Sequence, residues 1–170
     1  MIYKTPENGN GGECMAIASM NVVPEDLKTS IIRIYSYQDK NLQGVFYNLY
    51  YGEEIVFTNL TQLLLLMEDM MDGMKFPQAA MQPHRFQNGS DYAAMVHKKL
   101  DPIPEVIATF KVKVLFRQNA SWQGKILWLE GGQDMAFRSA LELVKLMDSA
   151  LPQPSVSGQA VTLHEAISAG

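Results

Sequence analysis

The chain is poor in the residues on which most enzymatic and metal chemistry is built. It has one cysteine, Cys14, in 170 residues, which excludes an internal disulfide framework and a cysteine zinc cage. That thiol reads as a small apolar group, because an activated thiolate needs a base or cation nearby and the flanking sequence supplies none. The three histidines, His84, His97 and His164, lack metal-ligand spacing, so no metal site and no cofactor are expected. No Gly-x-Gly-x-x-Gly or phosphate-loop pattern occurs; Gly11-Gly12 and Gly131-Gly132 stand isolated.

Long apolar runs are missing as well. The longest, residues 63–67, is far short of the roughly 20 residues a membrane span needs. Residues 1–12 are polar and carry no leader-like apolar core. A soluble, cytoplasmic protein with no membrane contact is the expectation. There is no basic excess either: the net charge is −4 and the pI about 5.3, which argues against nucleic acid as the main partner. The acidity sits in the first half, where residues 31–72 hold two basic and six acidic side chains.

What is present is an ordinary globular composition, 47% hydrophobic and 19% charged, with a pattern that occurs twice. Ile32 and Ile34 alternate with Arg33 and Tyr35, which is strand spacing. A polar connection leads through Gln43-Gly44 to a strand over 45–50. A turn at Gly52 leads to a short strand over 55–57. Asn59 then precedes Leu60, Leu63, Leu66, Met67, Met70 and Met71 at helical spacing. Asn59 with Gln62 makes a capping box, and Gly73 suits the helix stop.

Shifted by 80 positions, residues 112–151 follow the same plan. Nine of 40 aligned pairs are identical, at Gln38, Gln43, Gly44, Leu49, Gly52, Phe57, Leu63, Leu66 and Met67. The cap recurs as Ser139 with Glu142. The pattern predicts an α+β fold in which two tandem strand-strand-strand-helix repeats share one core, with an antiparallel sheet and helices packed on it. One such unit alone buries too little to be stable. Whether the two units join in one sheet or face each other as two layers stays open.

The expected organisation is an N-terminal lead with a strand or short helix over 14–23 (residues 1–30), a first repeat (31–73), a connecting segment with a short helix over 90–100 (74–105), a second repeat (106–151) and a flexible tail (152–170). The tail holds one weakly helical patch, 162–167. In the strand opening the second repeat, Phe110, Val112, Val114 and Phe116 are expected to face inward, and Lys111, Lys113, Leu115 and Arg117 outward.

Two surfaces are candidate sites. Arg117, Trp122, Trp128, Glu130 and Arg138 are what the second repeat has and the first lacks. An arginine beside a helix N-terminus suits an anion, and the tryptophans suit stacking. The plainer reading makes Gln118, Gln123, Gly124 and at least one tryptophan scaffold. The second surface is aromatic: Tyr35, Tyr37, Tyr47, Tyr50 and Tyr51. Alternation turns Tyr35 and Tyr37 outward, where tyrosines suit a protein interface; a second packed layer would use them equally. Met67, Met70, Met71 and Met74 match a core helix better than a binding stripe. The acidic pairs Glu53-Glu54 and Glu68-Asp69 fall at a turn and on a helix face, so no residue is put forward as catalytic.

The segment Phe116-Arg-Gln-Asn-Ala-Ser-Trp-Gln-Gly, with Trp128-Leu-Glu and Phe137-Arg-Ser-Ala-Leu-Glu-Leu, resembles a stretch shared by a family of small bacterial proteins with no assigned activity. The resemblance covers about 40 residues. It implies a bacterial cytosolic α+β domain and carries over no catalytic residue. The functional expectation is a non-enzymatic binding or structural domain that acts through a protein partner or homo-oligomer. The alternative is an anion, nucleotide or single-stranded nucleic acid held on the Arg/Trp surface with Lys111 and Lys113.

Overall fold

The structure is a computed structural model that describes residues 23–81, 84, 86, 102, 104–119 and 121–152. The expected elements over 14–23 (all but Val23), 90–100 and 162–167, and Cys14, His97 and His164, lie outside the described residues. The described elements are α1 (Glu25–Lys28), β1 (Ser30–Gln38), β2 (Asn41–Tyr47), β3 (Glu54–Phe57), α2 (Leu60–Met74), β4 (Ala108–Phe116), β5 (Gln123–Trp128), β6 (Gln133–Phe137) and α3 (Ala140–Ala150).

All six strands form one antiparallel sheet in the order β3-β2-β1-β4-β5-β6. The choice left open by the sequence is thereby made: the two halves meet edge to edge through β1 and β4. The two long helices lie on one face, α2 against β2 and β3, α3 against β5 and β6. A single continuous core results. Ile32, Ile34, Phe46, Phe57, Phe110, Val112 and Phe137 come from the sheet, Leu63, Leu66, Met67, Met70 and Met71 from α2, and Leu143 and Met147 from α3. Joining the sheets spares each half an exposed central edge and gives both helices a shared apolar floor. No helix among the described residues is long and apolar enough to cross a membrane.

The central ladder pairs Ser30 with Val112, Ile31 with Lys111, Ile32 with Phe110, Arg33 with Thr109 and Ile34 with Ala108. The Ile31–Lys111 pair joins positions 80 apart in the chain, and the pairs on either side of it, Ser30–Val112 and Ile32–Phe110, are images of each other under the same shift.

Each half carries a bulge at the matching place. In β1, Ile34 pairs with Gly44 and the next pair is Ser36 with Gln43; in β4, Val114 pairs with Gly124 and the next pair is Phe116 with Gln123. One extra residue resets the inward-outward alternation. The expectation of outward Tyr37 and Arg117 is therefore corrected. Tyr37 lies opposite buried Leu42 on the helix face, and Arg117 is 5% exposed. Phe116, expected to face inward, is 52% exposed.

Both helices are capped as the sequence predicts. Asn59 Oδ1 accepts from the Gln62 N–H at 2.9 Å, and Ser139 Oγ from the Glu142 N–H at 3.0 Å. The returning bonds reach one residue further back than a capping box requires: Gln62 accepts from the Thr58 N–H and Glu142 from the Arg138 N–H, both at 2.7 Å. Gly73 does not end α2. Left-handed Lys75 does, and Gly73 instead makes room for Tyr50, whose Oη would lie 2.2 Å from a Cβ there.

Candidate functional site

The five distinctive residues of the second half do not form one site. Arg117 and Trp122 come together on α2. The Arg117 guanidinium donates to Glu68 at 3.0 Å, to Asp72 at 2.6 Å and, through Nε, to the Pro77 carbonyl at 2.7 Å. Trp122 Nε1 donates to the other Glu68 oxygen at 2.7 Å. The bulge turns Arg117 inward, and α2 answers with two carboxylates, so the buried charge is matched. A groove of about 510 Å³ runs beside Arg117, lined by Met74, Phe76, Pro77, Leu115 and Phe116 among others. The guanidinium's charge is directed to Glu68 and Asp72.

Trp128 and Glu130 sit at the end of β5. Trp128 shares the inner face with Phe110, its partner in register. Its Nε1 is buried and makes no well-formed hydrogen bond. Burial raises the Glu130 carboxyl pKa, but donors led by the Thr109 backbone N–H outweigh it and hold the group below its usual range. Arg138 is strongly exposed and pairs with Glu142 at 3.4 Å. The Glu142 carboxyl is held low first by the Arg138 backbone N–H and then by its guanidinium.

The tyrosines divide between the two sides of the sheet. Tyr37 donates to Asp148 on α3, and Lys40 reaches the same oxygen at 2.6 Å. Burial first, then the Asp148 hydrogen bond, raises the Tyr37 pKa. Tyr51 packs edge-on against Phe46, ring centroids 6.3 Å apart, and its O–H donates to the Leu66 carbonyl. Tyr50 is 43% exposed. Tyr35 and Tyr47 belong to the helix-free face. Burial, then the Glu54 charge, raises the Tyr35 pKa.

The helix-free face is the surface that sequence reading left incomplete. Register places Glu54, Tyr47, Ile31, Lys111, Leu127 and Asp134 in one row across all six strands. Tyr47, Ile31 and Leu127 are half-buried; Glu54, Lys111 and Asp134 are exposed. Beside this row, Arg33 bonds Glu54 over buried Val45 and Val56. On the other side Lys113 lies directly opposite Lys125. Glu25 of α1 bonds Lys113 and thereby, with Lys28, is lowered to a pKa of about 2. Among the described residues no carboxylate pairs with Lys111 or Lys125. Lys125 and Leu127 were not singled out from sequence; the signal lay in their alternation with Ile126, but their neighbours come from another strand.

These features define a class: an α+β domain whose six-stranded antiparallel sheet carries helices on one face and a mixed apolar and basic surface on the other. No protein-family model, curated protein or solved structure matches the chain.

Proposed function

We propose that the chain is two β-β-β-α repeats in tandem, related by a pseudo-two-fold axis through the Ile31–Lys111 pair. Supporting this are the symmetric central register, the matched bulges and the matched caps. On this frame the protein is a non-enzymatic binding domain that acts by protein–protein contact through the helix-free face of its sheet.

The observation that carries this reading is the row Glu54–Tyr47–Ile31–Lys111–Leu127–Asp134. Its middle is largely apolar and its ends are acidic, the apolar-centre and polar-rim layout of interfaces. The cluster of Lys111, Lys113 and Lys125 opposes stacking of two identical faces and favours a partner with acidic groups. The test is an affinity capture with the purified protein and an Ile31→Asp/Leu127→Asp variant. The wild type should retain a specific protein that the variant loses, with thermal midpoints within a few degrees. A wild type that is monomeric by light scattering and retains nothing the variant does not would remove the reading.

Lys113 facing Lys125 favours a second reading, an anionic polymer such as single-stranded nucleic acid on the same face. Like charges directly opposite cost stability, and Glu25 neutralises only the Lys113 member of the pair. Three engaged lysines should give log K against log salt a slope of about −2. Oligonucleotide titrations without salt-sensitive binding would eliminate it.

A further inference from the structure

The two halves differ most at one place on the inner face. In the first half Tyr51 fills the corner between α2 and the sheet: its ring packs on Phe46, and its O–H donates to the Leu66 carbonyl at 3.4 Å. Eighty positions on, Tyr51, Phe46 and Leu66 correspond to Gly131, Ile126 and Leu146. Gly131 has no ring to offer. In that corner the second half has a cavity of about 100 Å³, lined by Phe110, Ile126, Trp128, Met135, Leu146 and Ala150 among others. Trp128 has turned part-way into the space, and its ring lies 2.1 Å from where a Gly131 Cβ would stand. It does not fill it.

We propose that this cavity binds a single phenolic ring. Three properties set the ligand class. The lining includes two aromatic side chains, Phe110 and Trp128, which suits a ring, beside the polar Gln133 and Ser149. The volume approaches that of a 150 Å³ apolar cavity known to take benzene, and the pocket opens to the surface, so the ring need not be wholly enclosed. One wall is polar at the matching point: Ser149 Oγ, also lining the cavity, donates to the Leu146 carbonyl at 2.7 Å. That carbonyl is the counterpart of the one Tyr51 uses. The serine oxygen, its own proton committed, is left as the acceptor for a phenol hydroxyl. The correspondence between the halves, position 51 with 131 and 66 with 146, carries this assignment. It concerns the opposite side of the sheet from the partner surface, so either can fail without the other.

The phenol could be a free small molecule or a tyrosine side chain on a partner, and the test separates them. The full-length protein is titrated with p-cresol and, separately, with N-acetyltyrosinamide, following the two indole N–H signals by NMR. The Trp128 signal should shift saturably while the Trp122 signal, held by Glu68, stays. Binding of both compounds assigns a tyrosine side chain; binding of p-cresol alone assigns a free phenol. Ala150→Leu, which narrows the cavity, should weaken binding at least tenfold while leaving the Trp122 signal unchanged. Toluene should bind about fivefold more weakly than p-cresol, the worth of one neutral hydrogen bond, and Ser149→Ala should abolish that difference. No saturable Trp128 shift at millimolar p-cresol, or undiminished binding in Ala150→Leu with its fold intact, overturns the proposal. Toluene binding equal to p-cresol overturns its hydroxyl component.

Discussion

The Arg117 guanidinium stands 3.0 Å from the Glu68 carboxylate, fastening the end of β4 in the second half to the helix of the first. Tyr37 and Asp148 make the reverse connection, from the end of β1 to α3. Positions 37 and 117, and 68 and 148, are each 80 apart, so the two bonds are reciprocal, as in a two-fold interface between separate chains. Arg117→Met leaves Glu68 and Asp72 without their shared cation. Because Asp72 is 44% exposed and partly screened, the expected loss is about 2–3 kcal/mol, below the figure for a fully buried pair. Glu68→Gln keeps an acceptor for Trp122 and should cost about 1 kcal/mol. Urea unfolding of both variants and their double mutant should give a coupling of about 1 kcal/mol between the two sites; additive losses would show that Arg117 acts through packing alone.

The partner bond in the first half makes a different prediction, in alkali. Burial, with the Asp148 hydrogen bond behind it, raises the Tyr37 pKa above its ordinary 10.0. A raised folded-state pKa favours the protonated phenol. Its contribution to stability is therefore complete below pH 10 and is lost as pH climbs through the folded value. Tyr35 moves in the same direction through burial and the Glu54 charge. Unfolding free energies measured from pH 8 to 11.5 should fall with pH in the wild type. They should fall less steeply in Tyr37→Phe, which cannot ionise. Equal slopes would mean that Tyr37 titrates alike in the folded and unfolded states.

At the acid end the informative group is Glu25. Hydrogen bonds from Lys113 first and Lys28 second lower its pKa from 4.5 to about 2. Here the charged form is favoured, so the contribution is present above pH 4.5 and lost as pH falls toward 2. A carbon-detected titration of the Glu25 carboxyl should show a midpoint near 2, moving upward in Lys113→Gln. A midpoint near 4.5 in the wild type would mean that α1 is not held on the sheet by this contact.

Much of the frame was legible because it rests on local rules. The strand alternation around Ile32 and Val112 and the caps at Asn59 and Ser139 each depend on residues a few positions apart. The bulges were not legible: one inserted residue leaves composition unchanged yet turns Tyr37 and Arg117 to the opposite face. Gly73 misled because its role depends on Tyr50, which comes from a distant turn. The candidate site suffered most, since Arg117, Trp122, Trp128, Glu130 and Arg138 share a sequence neighbourhood but separate once α2 and α3 take their places. The helix-free row needed the register of all six strands.

Gly44 and Gly124 offer a direct comparison of the two halves. A Cβ at Gly44 would lie 2.0 Å from the Arg33 carbonyl oxygen and 3.0 Å from the Phe57 ring; at Gly124 it would lie 2.0 Å from the Lys113 oxygen and 2.8 Å from the Phe137 ring. Backbone oxygen cannot swing aside as a side chain can, so alanine at either position must push the paired strand away or break the ladder at the bulge. Each substitution should cost more than about 2 kcal/mol, within the range for overpacking in a core. Gly52→Ala is the contrast. There the backbone has φ +70° but nothing lies within 4 Å, so only conformational strain is added, on the order of 1 kcal/mol. Urea unfolding of the three variants should give two large and similar losses and one small one. A mild effect at Gly124 beside a severe one at Gly44 would mean that the halves, alike in register, do not share the same packing, and would weaken the tandem-repeat reading at its centre.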